Sequence, residues 1–181
     1  MSRVALLAAL IAFPVAAQHE PPNGLLLVAK PGMPDPNFRE TVVLVTQAAD
    51  ASTVGVILNR PSPRRHEETG EVVYFGGPVM REVLVALYRP ERAPEAAAFH
   101  VVKGIYLTMH PRNIAALVAK RGQRYRLYAG FSGWSPGQLR SELARDDWYA
   151  LAPSAELLFR PDTRGMWEEL VKKARARVTM R

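Results

Sequence analysis

The chain has 181 residues and not one cysteine. Disulfides, thiolate metal sites and cysteine catalysis are therefore excluded. Acidic residues are outnumbered: 17 Asp and Glu stand against 24 Lys and Arg, a formal net charge of +7. Long apolar runs are also missing. The run Val4 to Phe13 (VALLAALIAF) is too short for a bilayer span, which needs about 20 residues. A polytopic membrane protein is thereby excluded. There is no internal repeat, no interdomain linker, no HExxH pair, and no helix-turn-helix, zinc-finger or RNA-binding aromatic motif.

What is present fits one globular domain. Hydrophobic residues make up 48% and charged residues 23%, both ordinary for such a chain. The N-terminus has the three-part grammar of a secretory signal: Arg3, the apolar run, then Pro14 and the small-residue stretch Val15-Ala16-Ala17. This predicts a signal peptide over residues 1–17, cleavage after Ala17 and a periplasmic address. No cysteine follows Ala17, so a lipoprotein is excluded. The alternative is an apolar N-terminal helix docked on the domain, with a cytoplasmic address. Residues 18–23 (QHEPPN) are polar and Pro-rich and are expected to be disordered. The folded domain is then expected over 24–178.

Within that domain, β-branched and apolar runs predict strands at 24–29, 41–47, 53–59, 72–75, 83–89, 99–102 and 104–108. Residues 61–70 (PSPRRHEETG) carry Pro and charge without an apolar residue, and read as an exposed, mobile loop. Residues 124–129 alternate Arg with Tyr125, Leu127 and Ala129, as a half-buried strand does. Residues 148–152 read as a short strand or extended turn. Three helices are expected. One spans 111–121, with Pro111 in its first turn, His110 able to cap it, and Ile114, Leu117, Val118 and Arg121 on one face. The second opens at Ser135-Pro136-Gly137-Gln138 with a capping box, and carries Leu139 and Leu143 one turn apart. The third is capped by Asp162 or Thr163, with a stripe of Trp167, Leu170, Val171, Ala174 and Val178. Many strands with few, irregularly placed helices predict α+β rather than a doubly wound sheet.

Four segments together resemble the YqgE/AlgH family of bacteria. They are GLLLVAKPGMPDPNFRETVVLV (24–45), GVILNRP (55–61), YFGGPV (74–79) and YAGFSGWSPGQLRSELARDDWY (128–149), and LLFRPDTRGMWEEL (157–170) adds a fifth. The resemblance covers about residues 24–174. It implies a single α+β domain whose mixed, mostly antiparallel sheet is bifurcated and partly closed, with helices around it. It implies no catalytic mechanism. One branch has been described as regulating alginate production, which would make this chain a cytoplasmic regulator of transcription. The chain departs from the family pattern where Val45-Thr46-Gln47 replaces the usual Cys-Glu-His. It also reads Gly130-Phe131-Ser132-Gly133-Trp134 in place of Gly-Tyr-Ala-Gly-Trp.

The chemistry-bearing residues are few. Ser132 sits in Gly-Phe-Ser-Gly between a predicted strand and helix, which resembles a nucleophile elbow. A hydrolase would add His100 or His110 and an acid such as Asp146 or Asp147. The pattern fails at Trp134, where the elbow requires glycine. His66, beside Glu67 and Glu68, offers at most a weak metal contact, so no metal and no cofactor is expected. Glu142 reads as part of a solvated helix face. A ligand site, if built from these motifs, would use Asn59 and Arg60, Gly76 and Gly77, and Gly130, Gly133, Trp134, Ser135 and Gln138. Glycines there let backbone approach closely, and the amides opening the Ser135 helix are donors. Arg81 and Arg140 could add charge.

The positive charge is dispersed, with Lys172, Lys173, Arg175, Arg177 and Arg181 forming its densest run. It implies generic attraction to anionic envelope surfaces rather than specific nucleic-acid binding. A protein partner is the other class left open. The expectation is an exported, non-enzymatic binding or regulatory module.

Overall fold

The computed structural model describes residues 21–120 and 122–179. The expected signal peptide, Arg121 of the first helix and the Val178 side chain lie outside the described residues. Ten strands form in chain order: β1 (Leu25–Ala29), β2 (Val42–Gln47), β3 (Thr53–Ile57), β4 (Pro61–Arg65), β5 (Val72–Phe75), β6 (Val79–Arg89), β7 (Phe99–Val102), β8 (Ile105–Thr108), β9 (Arg124–Trp134) and β10 (Trp148–Leu151). Four helices accompany them: α1 (Pro111–Ala119), α2 (Gln138–Ala144), α3 (Ala155–Leu158) and α4 (Met166–Thr179). The order across the sheet is β10-β1-β2-β3-β9-β6-β8-β7, and all neighbours in it are antiparallel. This is the α+β class expected.

The sheet curls until its ends nearly meet. Asn23 N donates to His100 O and Gly24 N to Val101 O, which ties the start of β1 to β7. A Cβ on Gly24 would stand 2.3 Å from Val101 O, so the closure needs glycine. Asn23 is further held by Gln47 O and the Thr46 hydroxyl, and this end of the 18–23 segment is therefore docked rather than disordered.

Curling gives each central strand two covered faces, which is why LLLVA and VVLV run apolar without alternation. Leu26, Val28, Val42, Leu44, Val56, Val85, Leu87 and Tyr128 face one core, shared with α4 through Met166, Leu170, Val171 and Ala174. The residues between them face outward into two smaller cores. Leu27, Ala29, Val43, Val45 and Ile57 pack with Trp134, Trp148 and Met33, with Leu139 and Leu143 of α2 against them. Ala86, Tyr88 and Leu127 pack under Ile114 and Leu117 of α1. The same arrangement corrects the half-buried reading of 124–129. Arg126 is only 8% exposed, its guanidinium lies over the Tyr74 ring, and it donates to Arg160 O. Period-two Arg spacing implied solvent, but the inner face of β9 takes this arginine into the core.

The 61–70 segment is also not a loop throughout. β4 pairs antiparallel with β5, and the Ser62 hydroxyl donates to Val73 O at 2.5 Å. Pro61 and Pro63 supply no amide donors, which an edge strand tolerates. α3 was not foreseen. It is a single turn capped by Ser154, whose hydroxyl accepts from Leu157 N at 3.4 Å. α1 is capped as expected, with His110 Nδ1 accepting from Arg112 N at 3.2 Å. α4 starts later than expected. Asp162 accepts from Arg164 N instead of capping it, and Thr163 O accepts from Met166 N.

β9 is the strand on which the architecture depends. Its first half lies between β6 and β5, the latter parallel, through Val73↔Leu127 and Phe75↔Ala129. Its last residues pair with β3 instead, at Thr53↔Trp134 and Gly55↔Ser132. The sheet forks at Gly130, which has φ 70°. Gly76 crosses at the fork: its N donates to Ala129 O at 3.0 Å and its O accepts from Ile57 N at 2.9 Å. A Cβ on Gly76 would meet Gly130 O at 2.2 Å, backbone against backbone.

Gly76→Ala is therefore expected to cost about 3 kcal/mol in urea denaturation, at the upper end of overpacking penalties. Gly133→Ala is the control from the same motif set: its Cβ would find only the Phe131 ring, at 3.7 Å. It is expected to change stability by less than about 0.5 kcal/mol.

Candidate functional site

The nine residues proposed for a site fall in three separate places. Gly76, Gly77 and Gly130 are at the sheet fork. A Cβ on Gly77 would stand 2.3 Å from Phe131 O, and one on Gly130 would stand 2.7 Å from Gly77 O. Backbone already fills the space a ligand would need. Ser132 lies here too, on β9 rather than on a strand-to-helix turn. It is fully buried, and its hydroxyl donates to Gly76 O at 3.3 Å. The elbow reading is thus corrected: a serine inside a paired strand is not presented to a substrate.

Gly133, Trp134, Ser135 and Gln138 belong to the second place. Trp134 and Trp148 are each 3% exposed, and Phe38 stacks on the first and meets the second edge-on. Both indole N–H groups donate to the same Glu142 oxygen, Oε2, at 2.9 Å each. Gln138 Nε2 donates to the other oxygen at 3.0 Å, while its Oε1 accepts from Ser135 N at 3.2 Å. Only the return arm of the capping box forms, because α2 begins after Gly137 at φ 82°. Glu142 is not a solvated-face residue. It clamps two buried tryptophans from two segments of the chain.

Asn59 and Arg60 form the third place. Asn59 Oδ1 accepts from Val42 N and its Nδ2 donates to Glu40 O, both at 2.9 Å. Arg60 donates to Asn37 O at 2.7 Å and to Arg39 O at 3.0 Å. Together they lash the 37–42 segment down. They also line a polar cleft of about 290 Å³ with Arg39, Thr163 and Arg164, where three of the family-like segments meet. Its cations are largely engaged. Burial lowers the Arg60 pKa from its usual value, with Glu40 opposing, and Arg164 grips Asp162 through Nε at 3.0 Å and Nη2 at 2.8 Å.

The cavity that the motifs did not indicate lies between α1 and the 90–98 segment. It measures about 550 Å³, within the range of small-molecule sites. Pro90, Pro94, Ala116 and Leu117 supply apolar wall, and Arg92, Arg112 and Lys120 supply cations. Tyr88 lines it as well. This tyrosine is 3% exposed, and its hydroxyl, closed off from solvent, has no hydrogen-bond partner among the described residues. Burial pushes its pKa well up, so it stays protonated. Such an orphan is costly, by about 1–3 kcal/mol. The 90–98 segment is held by Asn113 Nδ2, which donates to Ala96 O and Ala97 O at 3.2 Å. Its ion pair to the helix, Lys120 with Glu91 at 2.8 Å, is exposed and worth at most about 1 kcal/mol. One signal for this site was present in the sequence. Arg112, Ala116 and Lys120 recur every fourth residue, a cationic stripe with a small residue at its centre.

A second cavity, about 690 Å³, lies beyond His110 and is lined by His100, which stacks on Tyr106. Among the described residues no group of three or more His, Asp or Glu could hold a metal ion. His66 instead meets the Thr69 hydroxyl at 3.3 Å.

Two outcomes follow from this geometry. Glu142→Ala is expected to lower stability by about 2–3 kcal/mol, because two buried indole donors lose a charged acceptor. Loss of near-ultraviolet circular dichroism from the tryptophans would accompany it. The Arg164 guanidinium and amide hold the Asp162 carboxylate down at about 2. The folded value lies below the unfolded one, so the pair's stabilisation is present above the ordinary carboxylate range and is lost as pH falls through about 2. Carbon-detected NMR titration should place the midpoint there, and Arg164→Ala should raise it only part of the way to the ordinary range, because the backbone amide of residue 164 still donates to the carboxylate.

Comparison with known proteins agrees with this architecture. The AlgH-like family model matches residues 26–179. A UPF0301 protein of Thermobifida fusca is 32% identical over 170 residues, covering 83% of this chain and 86% of that protein. UPF0301 protein RHA1_ro03630 of Rhodococcus jostii is 33% identical over 167 residues, covering 83% and 81%. The solution structure of the AlgH protein from Pseudomonas aeruginosa is similar with a TM-score of 0.66 and 24% identity, over 85% of this chain and 87% of that one. The crystal structure of protein DIP2367 from Corynebacterium diphtheriae is similar to the same degree, 0.66 and 24%, over the same shares. The structural likeness speaks to the fold, and the family match spans nearly every described residue: the chain belongs to the AlgH-like family.

Proposed function

We propose that this chain is an exported, non-catalytic binding module, and that its ligand site is the cavity between α1 and the 90–98 segment. The observation that carries the reading is the cavity itself, of ligand size, walled by Pro90, Pro94 and Leu117 and rimmed by Arg92, Arg112 and Lys120. The motif residues support it by elimination. Ser132, Glu142, Asn59 and Arg60 are each committed to holding backbone or indole groups. Export rests on the signal grammar of residues 1–17. Among the described residues no helix is long and apolar enough to cross a membrane.

Two measurements test the two halves. Mass spectrometry of protein expressed from the full chain is expected to find a product beginning at Gln18 in the periplasmic fraction; retention of residues 1–17 in the cytosol would overturn export. A ligand-observed NMR screen of small aromatic fragments is expected to give hits that Ala116→Phe abolishes while folding is kept, since Ala116 is exposed on the cavity wall. Hits indifferent to Ala116→Phe would contradict the assignment.

A further inference from the structure

Across the cavity from α1, the 90–98 segment is fastened in two unlike ways, by buried hydrogen bonds at one end and by an exposed ion pair at the other. Resting on the reading above, we infer that residues 90–95 are a hinged strap that opens and closes this cavity: it pivots on a buried Thr108–Asn113 knot and is latched at its far end by Glu91 and Lys120.

The knot lies at the start of α1. The Thr108 hydroxyl is fully buried, donates to Ala97 O at 2.8 Å, and accepts from His110 N at 3.0 Å and from Asn113 Nδ2 at 3.1 Å. Asn113 Nδ2 also reaches Ala96 O and Ala97 O, at 3.2 Å each. One oxygen thus joins the end of β8, the entry to α1 and the strap. Buried neutral hydrogen bonds of this kind are costly to leave unmade, and salt does not screen them as it screens exposed charges.

The latch lies at the other end of the helix. Lys120, the C-cap of α1, meets Glu91 at 2.8 Å. The two side chains are 51% and 76% exposed, so water and salt compete directly for the contact. The hydrogen bond from Lys120, and then its charge, hold the Glu91 carboxyl below its usual range, so the latch is ionised at neutral pH. Between knot and latch little else holds the strap. Residues 90–95 make no backbone–backbone hydrogen bond among the described residues, and only Pro90 and Pro94 are half-buried. Segments so sparsely held open at the lowest cost in a fold. The two prolines restrict φ, so the strap moves as a stiff piece rather than by melting. The cavity occupies the gap, with Arg92 and Pro94 on the strap side and Arg112 and Ala116 on the helix side. Parting the latch widens that gap while the knot keeps the strap in place on α1. Access to the cavity is therefore coupled to ionic strength.

The chain has no native cysteine, so two labels can be placed without interference. Ala93→Cys and Ala115→Cys put nitroxides on strap and helix at exposed positions that do not line the cavity. Pulsed dipolar electron resonance on the full chain then reads the strap-to-helix distance. At low salt a single closed distance is expected to dominate. Glu91→Gln, or about 1 M salt, where the screening length falls to about 3 Å, is expected to raise the ratio of open to closed distances about two- to fivefold, the range for an exposed ion pair. Exchanging the charges, Glu91→Lys with Lys120→Glu, should restore the closed ratio at low salt, which a general loosening of the loop would not. Asn113→Ala weakens the pivot and is expected to broaden the distribution equally at low and high salt. A distribution indifferent to Glu91→Gln and to salt would overturn the latch, and one indifferent to Asn113→Ala would overturn the pivot; either result overturns the inference. Both leave the binding reading standing, because the fragment screen reads binding with or without a moving wall.

Discussion

Where Gly76 passes beside Gly130, two stretches of backbone come together with no side chain between them. That contact lets β9 change partners along its length. Its first half is held by β5 and β6, and its last residues by β3. Without the change of partner the sheet could not fork, and the β1–β2–β3 layer could not continue into the β6–β8–β7 layer. The curl that brings Asn23 and Gly24 back to β7 follows from the same joint. So does the burial of both faces of the central strands, which creates one inner core and two outer ones. A methyl group at position 76 is therefore a change to the architecture rather than to one turn.

The two outer cores set the division of labour. The one under α2 is closed by the Trp134–Trp148 pair and by Glu142, whose single oxygen serves both indoles. It contains the family-like segment 128–149, and the Trp134, Trp148 and Gln138 donors meet at Glu142. The one under α1 ends differently. Tyr88 is packed at its margin with its hydroxyl unpartnered, and the wall beyond it opens into a cavity with an unpaired guanidinium at the rim. The two outer cores thus differ in how their polar groups are partnered.

Much of the fold was legible in the sequence because strand patterning is local. β-branched runs and proline breaks located nine of the ten strands, and His110 followed by Pro111 marked the start of α1. The errors came from long-range contacts. Arg126 reads as a solvent residue until Tyr74 and Arg160 O are placed beside it. Glu142 reads as a surface carboxylate until two indoles arrive from either side of α2. The Gly130–Gly133 stretch reads as a turn because glycine is usually conformational, whereas here Gly130 serves a fork inside a strand. The site was less legible than the fold. Motif density drew attention to Asn59, Arg60 and the glycines, which are used up in fastening backbone. The cavity is assembled from a strand end, a proline-rich segment and one helix face, and of these only the Arg112–Ala116–Lys120 spacing is visible along the chain.

The central claim is one of location: the receptive surface is at α1 and not at the family-like motifs. Backbone amide shift mapping of the ¹⁵N-labelled protein against a fragment library tests it most directly. The account predicts that perturbations cluster at residues 88–96 and 112–123. Perturbations clustered instead at residues 39–40, 59–60 and 163–168, around the motif-lined cleft, would contradict it.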